Sequence, residues 1–191
     1  MDFTEKISGF EDCLYLHIYA PENATNLPVI GEYKQIPVPT KSKVKKLNVS
    51  GKKVWIHGGG FFAGSADPKT YGPEHFMDYD VVLVAINYRV GPLAFLTLEN
   101  DILPGNLGIR DQIVALEWIQ ENIKYFGGNS QEVTIMGESA GIFEKSLELG
   151  ILGTLQFPYF ILGAMSVMYL MMTEKAKGLF QRAIIQSGPL I

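Results

Sequence analysis

The chain has 191 residues, 47% of them apolar, with a formal net charge of −4. Such a composition suits one soluble globular unit of α/β size and excludes both a disordered chain and one with the basic bias that a polyanion partner requires. The single cysteine, Cys13, excludes an internal disulfide and leaves the redox compartment open.

In chain order, the N-terminal MDFTEKISGF lacks the basic and apolar regions of a secretory signal. DCLYLHIYAP alternates and is rich in aromatic and β-branched residues, which predicts a strand over Cys13–Tyr19 ended by Pro21. Lys53–His57 reads as a short strand running into a glycine run, and Val81–Asn87 as a strand buried on both faces. Between Arg110 and Phe126 the apolar positions Ile113, Leu116, Ile119, Ile123 and Phe126 step by three and four, predicting an amphipathic helix closed by Gly127 and Gly128. Glu132–Met136 is the next strand. Strands alternating with a helix imply a parallel sheet with crossover helices.

Two stretches fit this pattern less well. Residues 30–53 carry seven lysines against one glutamate in an otherwise acidic chain, which on composition alone is a solvated loop. Residues 142–163 open a second, mostly apolar stretch. From Leu149 to Thr173 there is no charged residue, a length that could span a bilayer. Gly150, Gly153, Pro158 and Gly163, the acidic residues Glu148 and Glu174 at its edges and the lack of a flanking aromatic belt weigh against a membrane helix.

The chemistry concentrates in two motifs. Gly137-Glu-Ser139-Ala-Gly141 follows a strand, and a strand-to-helix turn of this type exposes its serine because the two flanking glycines allow a very tight backbone. Acyl transfer passes through an oxyanion, which needs backbone N–H donors free of bulky side chains. The run His57–Phe61 (HGGGF) after a strand supplies such donors, and Ala140, following the serine, supplies another.

The blocks EDCLYL (11–16), VWIHGGGFFAGS (54–65), DVVLVAINYRVGPLAFL (80–96), PGNLGIRDQIVALEWIQENIKYFGGN (104–129), GESAG (137–141) and KGLFQRAIIQSG (177–188) occur in an order that resembles the carboxylesterase and cholinesterase family, the type-B serine esterases, with the tone of the insect detoxifying esterases. The resemblance implies an α/β-hydrolase fold, a mostly parallel sheet with flanking helices, as a single domain over residues 1–191 that is incomplete at both ends. It implies hydrolysis of carboxylic esters through a Ser–His–Glu/Asp triad, with an acyl-serine intermediate and neither cofactor nor metal. Carried over by position, Ser139 is the nucleophile, and Gly59, Gly60 and Ala140 donate the oxyanion-hole hydrogens. Glu138 is not the triad acid, His57 has a structural role, and His17 and His75 have no catalytic one. Arg89 and Asp111 match a buried structural salt bridge. The partner is a small-molecule ester whose identity stays open. Nucleic acid is not expected, a membrane span is weighed against, and the oligomeric state is open. Location stays unassigned for this chain, although the resemblance implies a family typically secreted or in the secretory pathway; Asn23-Ala-Thr and Asn48-Val-Ser are glycosylation sequons only on that route.

Three departures from the family pattern shape the expectation. The triad acid and histidine follow the serine by more residues than remain here, so the chain is expected to be an N-terminal-half fragment nearly inactive toward esters. Cys13 lacks the upstream cysteine with which the family pairs it. Lastly, the family continues GESAG directly into a small residue and a helix like SVHYLM, text that reappears at Ala164–Met172 (AMSVMYLMM). Residues 30–53 and 142–163 therefore read as insertions or as translated introns, whose donor and acceptor signals the codons of Gly31-Glu32-Tyr33, Ser50-Gly51 and Leu162-Gly163 can carry. The alternative is a non-catalytic esterase-like interaction protein; the retained Ser139 and glycine loop weigh against it.

Overall fold

The structure, a computed structural model, describes residues 12–22, 24, 27–30, 52–138 and 163–188. The strands are β1 (Leu16–Tyr19), β2 (Leu27–Ile30), β3 (Lys52–Ile56), β4 (Val82–Ile86), β5 (Gly128–Glu138) and β6 (Arg182–Gln186). The helices are α1 (Pro92–Phe95), α2 (Leu107–Asn122) and α3 (Gly163–Met172), and a turn of 3₁₀ helix, Ile123–Phe126, extends α2.

These strands form one mixed sheet. β4 pairs with β3, β3 with β5 and β5 with β6, all parallel. β1 joins β4 antiparallel, with Leu16 opposite Ile86 and Tyr19 opposite Leu83. An antiparallel edge on a parallel sheet is common, because an edge strand needs no crossover connection. β1 begins later than its alternation predicts. The Tyr15 amide turns back to the Cys13 carbonyl at 2.9 Å, although the Tyr15 carbonyl still accepts the Asn87 N–H at 2.9 Å. The predicted strands at 53–57, 81–87 and 132–136 appear with shifted ends, and β5 is the most extended relative to its expectation. β2 was not anticipated at all. It lies between β4 and β5, parallel to both, in the same strand position as β3.

Alternation along the strands divides the core. Val54, Ile56, Val84, Ile86, Val133 and Ile135 face a layer made by α2 and α3. Trp55, Ala85 and Met136 face the other way, against Ala66 and Tyr71 of the long connection after β3. Within α2 the period predicted from sequence is the one used, with Ile113, Leu116 and Ile119 buried, each stabilising by roughly 1.5–3 kcal/mol on burial, but the helix ends at Asn122, short of the predicted Phe126, which is exposed in the 3₁₀ turn. α2 starts earlier than predicted, and Gly108 in its first turn lies so close to the Arg89 carbonyl that a methyl group would stand 2.5 Å from that oxygen. The last part of the uncharged stretch 149–173 is α3, ten residues long, and its earlier part lies outside the described residues. Among the described residues no helix is long and apolar enough to cross a membrane.

Candidate active site

The parallel strands β3 and β5 end side by side. Ile56 registers against Gly137, so the chain leaves β3 at His57 next to where it leaves β5 at Glu138. The carboxyl ends of parallel strands are where α/β sheets build ligand sites, because the loops there are free of the sheet's own hydrogen bonding. Here one connection is the glycine run Gly58–Gly60, and the other follows Glu138 in the sequence. Ser139 and Ala140 lie outside the described residues, so of the four sequence-predicted site residues the structure locates Gly59 and Gly60.

The glycine loop has a backbone that other residues resist. Gly59 has φ +119°, Gly60 +72° and Phe61 +57°. A Cβ on Gly59 would collide with the Ala63 carbonyl as well as occupy a strained conformation. The Gly59 carbonyl accepts the N–H groups of Phe62 at 3.2 Å and Ala63 at 3.0 Å. Phe61 closes the loop from below. Its ring lies 4.3 Å from that of Phe95 and edge-on to Tyr88, and its carbonyl accepts the Gly91 N–H. Among the described residues no backbone acceptor takes the N–H of Gly59 or Gly60.

His57 anchors the start of this loop. It is fully buried, and its Nδ1 stands 2.8 Å from the Gly58 carbonyl. A carbonyl only accepts, so Nδ1 carries the proton and Nε2 keeps a bare lone pair, buried without a hydrogen-bond partner. Burial lowers the imidazole to a pKa of about 4, with the Gly58 contact opposing that shift. The ring is therefore neutral at physiological pH and serves as packing. It stacks on Tyr88, ring centroids 4.3 Å apart at 16°.

Below the loop runs a buried polar brace that the sequence reading did not single out. Tyr88 donates from its hydroxyl to the His57 carbonyl at 2.6 Å. Burial pushes the Tyr88 phenol far up, and a hydrogen bond with Ser166 offsets part of the rise. Gln112 of α2 donates to the Ser166 hydroxyl of α3 at 3.0 Å, both side chains being fully buried. The brace thus ties α2, α3 and the end of β3 together. Its three members sit in blocks quoted for the resemblance or beside them, but only a polar residue at a core-facing helical position, as with Gln112, hints at such a role in sequence.

At the end of β5 the packing is equally tight. A Cβ on Gly137 would fall on the Gly163 carbonyl and stand 3.0 Å from Val167, and a Cβ on Gly163 would fall on the Glu138 carbonyl. α3 therefore starts directly beneath the strand end that delivers Ser139. The expected salt bridge also forms, although not buried as expected. Arg89 Nη2 and Nε reach the two Asp111 oxygens at 2.6 and 2.7 Å, but the arginine side chain is 43% exposed while the aspartate is 7% exposed. His17 and His75 lie outside this constellation. Among the described residues no group of three or more His, Cys, Asp or Glu side chains is placed to hold a metal ion. A shallow hollow of about 270 Å³ opens at the other end of α3, between Leu170 and Phe180, away from the glycine loop.

Comparison with known proteins follows the same lines. Residues 1–147 match the sequence model described as the carboxylesterase family. The chain is 38% identical over 185 residues to the juvenile hormone esterase of Tribolium castaneum, covering 96% of this chain and 24% of that protein. It is 35% identical over 192 residues to the para-nitrobenzyl esterase of Bacillus subtilis, covering 98% of this chain and 30% of that protein. Among solved structures it resembles the juvenile hormone esterase of Manduca sexta with OTFP covalently attached, at a TM-score of 0.67 and 33% identity, over 92% of this chain and 25% of that one. A structure of PNB esterase matches at a TM-score of 0.68 and 35% identity, over 97% and 30%. The chain thus spans 24–30% of the length of these relatives.

Proposed function

Because the chain belongs to the carboxylesterase family and has the α/β-hydrolase fold, we propose that it carries the nucleophile and oxyanion hole of a carboxylic ester hydrolase. Ser139 attacks the ester carbonyl. The amides of Gly59 and Gly60, with that of Ala140, receive the developing oxyanion, and the alcohol leaves from a tetrahedral intermediate to give an acyl-serine that water then hydrolyses. The observation that carries this reading is the pair of unclaimed amides at Gly59 and Gly60 beside the strand end that leads into Ser139. A relative with a covalently attached compound is in keeping with covalent chemistry.

A serine needs a base. The three histidines of the chain, His17, His57 and His75, all precede Ser139, and His57 is buried and occupied by packing. The 191-residue polypeptide by itself is therefore expected to turn over esters barely above background, the residual acceleration being that of oxyanion hole and binding alone. The substrate is a small-molecule ester. A relative named as a venom carboxylesterase fits passage through the secretory pathway.

The test is a chimera in which these residues replace the matched part of the Bacillus subtilis para-nitrobenzyl esterase, which then supplies the remainder of its own chain. Turnover of a para-nitrobenzyl ester that falls by ~10⁴-fold or more with Ser139→Ala supports the assignment. Turnover that survives the substitution sinks it.

A further inference from the structure

The strand position between β4 and β5 is filled by two segments in succession. Ile30 registers against Leu83 of β4, and Val54 against the next residue, Val84. On the other side Val29 registers against Val133 of β5 and Val54 against Ile135, and the Thr134 between them is taken by Lys53. The overlap is explicit: Lys53 shares Leu83 with Ile30, and Lys52 shares Val133 with Val29. The last two residues of β2 and the first two of β3 therefore claim the same place in the sheet. Joining Ile30 directly to Val54 gives one strand that from Val29 onward meets consecutive partners on both neighbours, the register shift against β5 lying earlier, between Leu27 and Val29.

At the second junction the observation is a close contact between the two ends. Glu138 and Gly163 meet across a contact that admits no Cβ on Gly163, and Gly137 faces the Gly163 carbonyl just as closely. Joining Gly141 to Ala164 puts a glycine again at the start of α3, with Ser139 and Ala140 left as the connection. We infer that residues 31–53 and 142–163 are two insertions into an otherwise continuous frame, and that a chain lacking both folds with an unbroken central strand and a closed strand-to-helix turn. The lower boundary differs by one residue from the sequence reading, because Ile30 already holds a place in the sheet. The frame is independent of the ester chemistry.

Register makes the claim testable, since a one-residue slip turns every side chain of a strand to the wrong face. Three polypeptides are compared by urea midpoint and by soluble yield in one host: the intact chain, the chain lacking 31–53, and the chain lacking 31–52. Removal of 31–53 is expected to raise midpoint or yield above those of the intact chain, and removal of 31–52, which leaves Lys53 wedged before Val54, to lower both. If the two deletions behave alike, or the shorter one wins, the strand inference is overturned. For the second junction, the chain lacking 142–163 is compared with the same chain carrying Gly141→Val. A loss of midpoint or yield on adding the valine is expected, and equal behaviour overturns the assignment of Gly141 to the place of Gly163. Neither comparison reads ester turnover, so failure here and failure of Ser139 in the chimera remain distinguishable.

Discussion

Tyr88 holds His57 twice, by stacking on its ring at 4.3 Å and by donating a hydrogen bond to its carbonyl at 2.6 Å. The two contacts fix different things. Stacking fixes the imidazole plane, and the hydrogen bond fixes the peptide from which the glycine loop departs. Tyr88→Phe keeps the first and removes the second, leaving a buried carbonyl unsatisfied. The expected cost is about 1–3 kcal/mol in urea unfolding, with the stacking of the two rings unchanged; an unaltered midpoint would show that the hydroxyl is not needed.

The glycines of this region separate conformational strain from collision. Gly91 has φ +86° and open space for 4 Å around the place a Cβ would take, whereas Gly59 has φ +119° and meets the Ala63 carbonyl. Gly91→Ala is expected to cost about 1 kcal/mol from backbone conformation alone. Gly59→Ala should cost clearly more, and should displace the loop. Equal unfolding midpoints for the two variants would contradict the geometry.

His57 makes stability depend on pH. Its imidazole titrates near the ordinary value of 6.5 when unfolded and at about 4 when folded, because burial disfavours the cation. Between these values the unfolded chain holds a proton that the folded chain lacks, so stability falls as pH drops from 6.5 towards 4 and is level above that window. The contribution amounts to roughly 3 kcal/mol at its limit. His57→Phe retains an aromatic ring against Tyr88 and should flatten this part of the profile. A profile unchanged by the substitution would assign the acid sensitivity to other groups.

Asp111 answers both the guanidinium and the backbone N–H of Arg89, the latter at 3.0 Å. Asp111→Asn loses charge on the acceptor and is expected to cost ~1 kcal/mol, since the arginine end is half-exposed and screened. Added salt should shrink the difference between the two proteins. A cost that grows with salt would mean the pair acts through something other than its charge.

How much of this was legible beforehand depends on distance in sequence. α2 declared itself through Ile113, Leu116 and Ile119, because a helix is made by neighbours three and four apart. The strands at Val54 and Val82 did so through local apolar runs. The glycine loop was visible because φ values above zero demand a particular residue at particular places. The strand at Leu27–Ile30 was not visible: four residues ending in a polar, lysine-rich stretch carry no local signal, and only pairing with Val82 and Val133 makes them a strand. The brace of Tyr88, Gln112 and Ser166 was hidden for the same reason, as its members are brought together by tertiary packing. The Arg89–Asp111 pair was anticipated, but its exposure was not, because burial depends on which surfaces the rest of the chain covers.

The shared register of Ile30 and Lys53 also bears on how fast the molecule can fold. A central strand supplied in two pieces cannot complete its ladder until the two pieces, about twenty residues apart in sequence, have met, and such closure costs roughly 2–3 kcal/mol of chain entropy. Where that closure precedes the rate-limiting step, the cost slows folding and leaves unfolding untouched. The native sheet would then be no easier to dismantle than an uninterrupted one, only slower to assemble, with its central position open for longer to the wrong strand.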